Sequence, residues 1–179
     1  MKEDKIRLKK IKIGLLCDNC VGKTSICYAL LNLGFTKEIL STTVTNRIET
    51  EYPLNNGNVI KLILLDIAGY ERFRSIELRN IKRAHGLILM MDFTNYRSFE
   101  NLDSWLKQIS ENNEKNIPIV LFGNKIDLPK KDWKVTVEQV KEFAKKNNLT
   151  YFETSAKTRK GVKEGFSYIV NKCYKILEE

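Results

Sequence analysis

Residues that cross-link a chain, bind metals or break secondary structure are few in this sequence. It has four cysteines, one histidine and three prolines among 179 residues. Four cysteines in a chain of this length do not form the disulfide framework of a small secreted protein. One histidine, His85, leaves little scope for zinc, which needs about four ligands, and we expect its role to be structural. No apolar run approaches the roughly 18–20 residues that cross a bilayer, and the charged N-terminus lacks the apolar core of a signal peptide. We therefore expect one globular domain, residues 1–179, in the cytoplasm.

The chain carries a formal net charge of +9, with 31 Lys and Arg against 22 Asp and Glu. Part of the excess lies in a basic N-terminal segment, residues 1–10, and the rest is scattered along segments of helical periodicity. A surface for single-stranded nucleic acid would interleave aromatic residues with basic ones as stacking platforms, and that pattern is missing. We expect no nucleic-acid partner and interpret the charge as a solvated basic surface.

Short apolar runs alternate with longer segments of helical periodicity, which predicts an α/β fold. Two unbroken apolar runs are typical of strands buried on both faces of a parallel sheet, and an Asn-Asn-Gly-Asn tetrapeptide at residues 55–58 predicts a hairpin. We predict one six-stranded, mostly parallel sheet with helices on both faces. The predicted strands are residues 11–16, 47–54, 59–65, 86–91, 117–122 and 151–152.

Apolar residues at helical spacing predict the helices between these strands. The third predicted helix begins at a capping box formed by Thr136 and Gln139. Trp105 is interpreted as helix packing and Trp133 as a loop anchor. The apolar positions of the first, second and last helices are Ile26, Leu30 and Leu33; Phe99, Leu102, Leu106 and Ile109; and Val162, Phe166, Ile169, Val170 and Cys173.

The first predicted strand runs directly into a glycine-containing loop, residues 17–24, with the sequence CDNCVGKT. A loop that leaves a strand and enters a helix presents backbone N–H groups and the positive end of a helix dipole to an anion. Gly22 lets the backbone approach a phosphate, Lys23 adds positive charge near the β and γ phosphates, and the Thr24 hydroxyl can bind Mg²⁺. Cys17 stands where the usual pattern of such a loop has its first glycine.

Three further motifs each follow a predicted strand. Asp66 can hold a Mg²⁺-bound water, and Gly69 can offer its N–H to a γ-phosphate. In Asn124-Lys125-Ile126-Asp127, the carboxylate can accept the two donors on the Watson–Crick edge of guanine, a pattern that adenine lacks. Residues 155–157 (Ser-Ala-Lys) can offer a backbone N–H to guanine O6. Open α/β sheets bind ligands at the edge where these four motifs would meet.

With these motifs in this order, the sequence resembles the Ras superfamily of small GTPases over nearly its whole length. It is most similar to the Rab branch, in residues 71–76 (ERFRSI) and 83–86 (RAHG). The resemblance implies a P-loop small G-domain that binds GTP or GDP with Mg²⁺ and hydrolyses GTP. It implies nucleotide contacts from Asn19, Cys20, Val21, Gly22, Lys23, Thr24, Ser25, Phe35, Thr42, Gly69, Asn124, Lys125, Asp127, Ser155, Ala156 and Lys157.

The resemblance also implies that Mg²⁺ is held by Thr24, Thr42 and Asp66. Counts from the two ends of the intervening segment differ by one residue, so Ser41 and Thr43 stay open as alternatives to Thr42. Lys23 would be one catalytic group. The other catalytic position, where the family has a glutamine that orients the attacking water, holds Tyr70.

Three residues depart from the family pattern. The rigid phenol of Tyr70 cannot readily take the place of the glutamine, so we expect slow hydrolysis. Asn19 occupies a loop position where bulk interferes with an incoming arginine. Cys17 requires a conventional backbone conformation or a shifted loop. A zinc or redox role for the Cys17-x-x-Cys20 pair is a weaker interpretation than a phosphate-binding loop.

The resemblance implies a molecular switch of vesicle trafficking. Effectors, an exchange factor and a GTPase-activating protein would bind two segments, switch I (residues 34–45) and switch II (residues 66–81). Residues 1–179 include no prenylated tail, so we expect contact with vesicle membranes only through a lipidated segment outside this sequence. The alternative is a scaffold that keeps a nucleotide without cycling.

Overall fold

We describe the computed structural model of the chain over residues 8–34, 46–67, 82–112 and 117–179. Its strands are β1 (Lys10–Leu16), β2 (Asn46–Pro53), β3 (Val59–Asp66), β4 (Gly86–Asp92), β5 (Ile119–Asn124) and β6 (Thr150–Glu153). The α-helices of this part of the chain are α1 (Lys23–Leu30), α2 (Tyr96–Glu100), α3 (Leu102–Asn112), α4 (Val137–Lys146) and α5 (Val162–Glu178), with a 3₁₀ turn at Lys130–Asp132.

The six strands form one sheet in the order β2-β3-β1-β4-β5-β6. Only β2 and β3 pair antiparallel, through the predicted hairpin, and the other neighbouring pairs are parallel. This confirms the predicted fold class. Because β1, β3, β4, β5 and β6 run in the same direction, their carboxyl ends and the loops that follow them lie along one edge.

Two buried clusters cover the two faces of the sheet. On one face, strand side chains pack against α1 and α5, with Ile26, Phe166 and Ile169 fully buried. On the other face they pack against α3 and α4, with Trp105 and Val140 in the centre. Each fully buried aliphatic side chain contributes about 1.5–3 kcal/mol of transfer free energy, so the helices are fixed to both faces, as predicted.

Most strand bounds shift by one or two residues from the sequence prediction, and three differences are described here. The first helix ends at Leu30, because Asn32 adopts a left-handed φ of 58°, and Leu33 is half exposed. Strand β5 begins at Ile119 rather than at residue 117, since Pro118 has no N–H for the ladder. The predicted second helix is divided at Asn101 into α2 and α3.

Several local predictions are confirmed. The side chain of Thr136 accepts from the N–H of Gln139 and the reciprocal bond is present, which completes the capping box. His85 has a structural role, because its Nδ1 accepts the Lys12 N–H at 2.9 Å. Cys173, on α5, is buried in the hydrophobic core. No helix in the described part of the chain is long and apolar enough to cross a membrane.

Candidate nucleotide-binding site

The loop after β1 folds around the amino group of Lys23. Gly22 caps α1 with φ 107°, a conformation that L side chains rarely adopt. The Lys23 side chain is buried, and its Nζ donates to the carbonyl oxygens of Cys17 at 3.0 Å and Asp18 at 2.9 Å. The ammonium group and the N-terminus of α1 therefore place positive charge on the same loop, as phosphate binding requires.

Thr24 and Asp66 bring two oxygen ligands together beside this loop. The Thr24 hydroxyl donates to Asp66 Oδ2 at 2.6 Å, and Asp66 is fully buried at the end of β3. Mg²⁺ prefers carboxylate and hydroxyl oxygens of this kind and usually keeps several waters. These two residues fit a magnesium ion that is also bound by a nucleotide phosphate.

Asn124 connects the phosphate loop to the loops after β5 and β6. It is almost fully buried, and its Nδ2 donates to the Val21 carbonyl at 2.9 Å. Its Oδ1 accepts the N–H of Ala156 at 3.3 Å and lies 3.4 Å from the Thr154 hydroxyl, which donates to it. The side chain therefore fixes the relative positions of the predicted phosphate and guanine subsites.

Lys125 makes a second connection between these loops. It adopts a φ of 68°, and its Nζ donates to the Cys20 carbonyl at 2.9 Å. The same Nζ lies 2.6 Å from Asp92 Oδ2, and Asp92 Oδ1 in turn accepts the N–H and hydroxyl of Thr94. The ion pair holds the lysine stem along the edge of the site.

The Asp127 carboxylate is oriented by the loop after β6. Ser155 Oγ donates to Asp127 Oδ1 at 2.6 Å, and Ser155 Oγ accepts the N–H of Thr158 at 3.1 Å. Asp127 is half-buried and Ser155 is fully buried. A carboxylate fixed in this way can accept two parallel N–H groups from a flat base.

The sequence pattern of the whole chain agrees with this geometry. The profile of the Ras family matches residues 12–175. The chain belongs to the Ras family.

Its relatives at 31–38% identity include several Rab proteins. The Ras-related protein Rab-13 of Bos taurus is 38% identical over 157 residues, which cover 87% of this chain and 76% of the relative. The Ras-related protein Rab-5B of Plasmodium falciparum (isolate 3D7) is 33% identical over 95% of this chain and 81% of the relative. The Ras-related protein Rab-11A of Dictyostelium discoideum is 34% identical over 93% of this chain and 77% of the relative. This Ras-family chain is therefore a Rab-like small GTPase.

The structure brings most of the predicted site residues of this Rab-like chain to one edge of the sheet. The predictions for Phe35, Thr42, Gly69 and Tyr70 lie outside the described residues, as do most of switch I and switch II. Among the remainder, Lys157 is exposed. The predicted residues placed at the strand ends and in the loops of this edge, or in the first turn of α1, are Asn19, Cys20, Val21, Gly22, Lys23, Thr24, Ser25, Asp66, Asn124, Lys125, Asp127, Ser155, Ala156 and Lys157.

The backbone of Cys17 is conventional, the first of the two possibilities expected from the sequence, whereas the unusual backbone of Cys20 was not predicted. Cys17 is outside the set of described positive-φ residues, so the conventional conformation holds, and its Sγ lies 3.2 Å from Lys23 Nζ. Cys20 instead adopts a left-handed φ of 61° and is exposed. The only signal was its position, because Cys20 lies two residues before Gly22 in a tight loop where glycine is the usual left-handed residue.

Three residues at the site were missed or only partly understood from the sequence: Asp92, Asp18 and Trp105. Asp92 follows a buried strand, the same signal that identified Asp66, yet it was not selected. Asp18 accepts hydrogen bonds from Asn101 and Trp105, whereas Trp105 was interpreted as helix packing alone. Trp133 was interpreted correctly as a loop anchor, because its Nε1 donates to the Leu128 carbonyl at 3.0 Å.

We expect iodoacetamide at pH 8 to modify the folded protein rapidly at Cys20 alone. Burial raises the pKa of Cys17 to about 11 and that of Cys173 to about 12, and burial also raises the pKa of Cys27, so these thiols stay protonated and shielded. Intact-mass spectrometry should find one fast adduct, which Cys20→Ser removes. A fast adduct on Cys17 in the folded protein would contradict the burial described here.

Proposed function

We propose that this chain is a GTP- and GDP-binding switch of the Rab type that acts in vesicle trafficking and hydrolyses GTP slowly. The single observation that supports nucleotide binding most strongly is the set of contacts made by Asn124, which joins the loops after β1, β5 and β6 through one buried amide. Loops held together in this way form a preorganised site for a ligand with phosphates at one end and a base at the other.

Each described loop has a chemical task in this proposal. The N-terminus of α1, the loop N–H groups and Lys23 bind the phosphates. Thr24 and Asp66 would hold Mg²⁺, which would supply positive charge beside the phosphates. Asp127 would accept the two guanine donors, and the loop of residues 155–157 would offer a backbone N–H to guanine O6. Thr42 and its neighbours would complete the magnesium site in switch I.

Slow hydrolysis follows from Tyr70 at the position of the family's glutamine. In this class positioning of the attacking water supplies most of the catalysis, and the intrinsic Ras rate is already only about 3–5 × 10⁻⁴ s⁻¹. A phenol holds its oxygen at the far end of a rigid ring, so it does not orient a water beside the γ-phosphate. The protein would then remain in the GTP state until a GTPase-activating protein supplies the missing groups.

We expect Tyr70→Gln to raise the single-turnover rate of GTP hydrolysis by about tenfold or more, because it restores an amide that can orient water. The assay measures phosphate release from preloaded protein with excess Mg²⁺. Tyr168→Gln is the matched control, since Tyr168 is an exposed tyrosine of α5 that contacts Thr150, where β6 begins at the edge of the sheet opposite the site. A wild-type rate equal to that of ordinary Rab proteins, or no gain from Tyr70→Gln, would refute slow hydrolysis through this position.

The switch itself is tested by nucleotide exchange and partner binding. EDTA should accelerate GDP release, because removal of Mg²⁺ takes away the charge held at Thr24 and Asp66. Effectors that contact switch I and switch II should bind the GTP form more tightly than the GDP form. Equal affinity of a partner for the GTP and GDP forms would instead indicate a scaffold that keeps a nucleotide without cycling.

A further inference from the structure

The phosphate loop contains an acidic side chain, Asp18, in a place where a carboxylate would repel bound phosphates. Strand β1 ends at Leu16, two residues before Asp18, so Asp18 lies at the start of the loop. A free carboxylate at this position would weaken anion binding, since like charges repel strongly where solvent screening is reduced.

The contacts of Asp18 separate its charge from the inner side of the loop. Its carboxylate accepts from Asn101 Nδ2 at 2.6 Å and from Trp105 Nε1 at 3.0 Å. Its backbone carbonyl accepts from Lys23 Nζ at 2.9 Å. The side chain is therefore directed to α3, while the main chain of the same residue holds the phosphate-binding lysine.

The two donors are themselves held rigidly. Trp105 is 1% exposed, with its ring inside the core cluster formed by α3 and α4. Asn101 is half-buried at the junction of α2 and α3. Its backbone N–H donates to the Arg97 carbonyl, and its backbone carbonyl accepts the backbone N–H of Trp105. Donors fixed by the helix backbone lose little entropy when they bind a carboxylate, so they can determine where that carboxylate lies.

We infer that Asp18 is a positioning residue, which Asn101 and Trp105 anchor to α3 so that the loop carbonyls hold Lys23 in place for nucleotide phosphates. This inference rests on the proposed function. It predicts that the anchor slows the release of GDP, because a loosened loop no longer fixes the lysine and the N–H groups around the phosphates.

Asn101→Ala tests the anchor, with Asn171→Ala as the matched control. Both asparagines are half-buried, and Asn171 binds the β2–β3 hairpin through the N–H of Asn55, far along the chain from the loop. We expect Asn101→Ala to raise the dissociation rate of fluorescent GDP about tenfold, as expected for the loss of one hydrogen bond to a charged group. Asn171→Ala should change that rate less than about twofold, even where both variants lower the unfolding temperature.

A double-mutant cycle separates positioning from general destabilisation. In an Asp18→Ala background, Asn101→Ala should add less than about twofold to the release rate, because the shared contact is already lost. Trp105→Phe keeps an aromatic ring in the core but removes the Nε1–H donor, so it should also accelerate release in the wild-type background and have little effect in the Asp18→Ala background.

The outcomes distinguish this inference from the proposed function. Failure of the unaltered protein to bind GDP overturns both. Binding of GDP with release rates that Asn101→Ala and Trp105→Phe leave unchanged overturns the inference alone. Effects of Asn101 and Asp18 substitutions that simply multiply would also overturn it, since independent residues do not form an anchor.

Discussion

Replacement of Gly22 by alanine is expected to weaken nucleotide binding severely and to lower the free energy of unfolding by about 2–4 kcal/mol. The residue has φ 107°, and a Cβ there would lie 2.6 Å from Asn124 Nδ2. The new methyl group would therefore displace the amide that connects the phosphate loop to the guanine loops. GDP affinity should fall at least a hundredfold in titrations with fluorescent GDP, and chemical denaturation measures the stability.

Gly57→Ala is the matched control for the backbone. Gly57 has φ 83° in the β2–β3 hairpin, and a Cβ there would meet nothing within 4 Å. Its substitution should cost about 1–2 kcal/mol through the left-handed conformation alone and leave GDP affinity unchanged. Equal losses of stability and affinity in the two variants would show that the contact with Asn124 does not matter.

The second large effect concerns the choice of base. Asp127→Asn should weaken GDP binding by roughly 10²–10⁴-fold, because it removes charge-assisted hydrogen bonds and places an amide donor against a guanine donor. Xanthosine diphosphate, whose base carries a carbonyl oxygen in place of the guanine amine, should regain affinity for this variant. Isothermal titration with both nucleotides measures the change in preference.

Asp132→Asn makes the same charge change on the exposed 3₁₀ turn five residues away and should leave both affinities unaltered. A variant at Asp127 that keeps its preference for GDP would show that the base is recognised elsewhere. Loss of both nucleotides would point to misfolding, which the thermal unfolding curve of the variant would reveal.

Much of this site could be predicted because its chemistry is concentrated at strand ends. Asp66 and Asn124 lie at the ends of buried strands and Ser155 follows β6, and parallel strands bring their carboxyl ends to one edge whatever the details of packing. The hairpin at residues 55–58 and the capping box at Thr136 were equally predictable, since both depend on neighbours a few residues apart.

Contacts between distant segments were harder to predict. The bond from Trp105 to Asp18 spans 87 residues and the bond from Asn124 to Val21 spans 103. Trp105 satisfies a core pattern and a polar role at once, and helical spacing reveals only the first. The left-handed backbone of Cys20 depends on the tight path of the loop, which residue type alone does not indicate.

The buried amide of Asn124 also affects how a two-ended ligand is bound. A nucleotide attached by its phosphates presents its base to Asp127 at an effective concentration set by how firmly the two loops are joined. A stiff connection makes the second contact nearly intramolecular, so base and phosphates contribute far more together than as separate molecules. The affinity for the whole nucleotide would then depend on the Asn124 side chain, even where that side chain touches neither the base nor the phosphates.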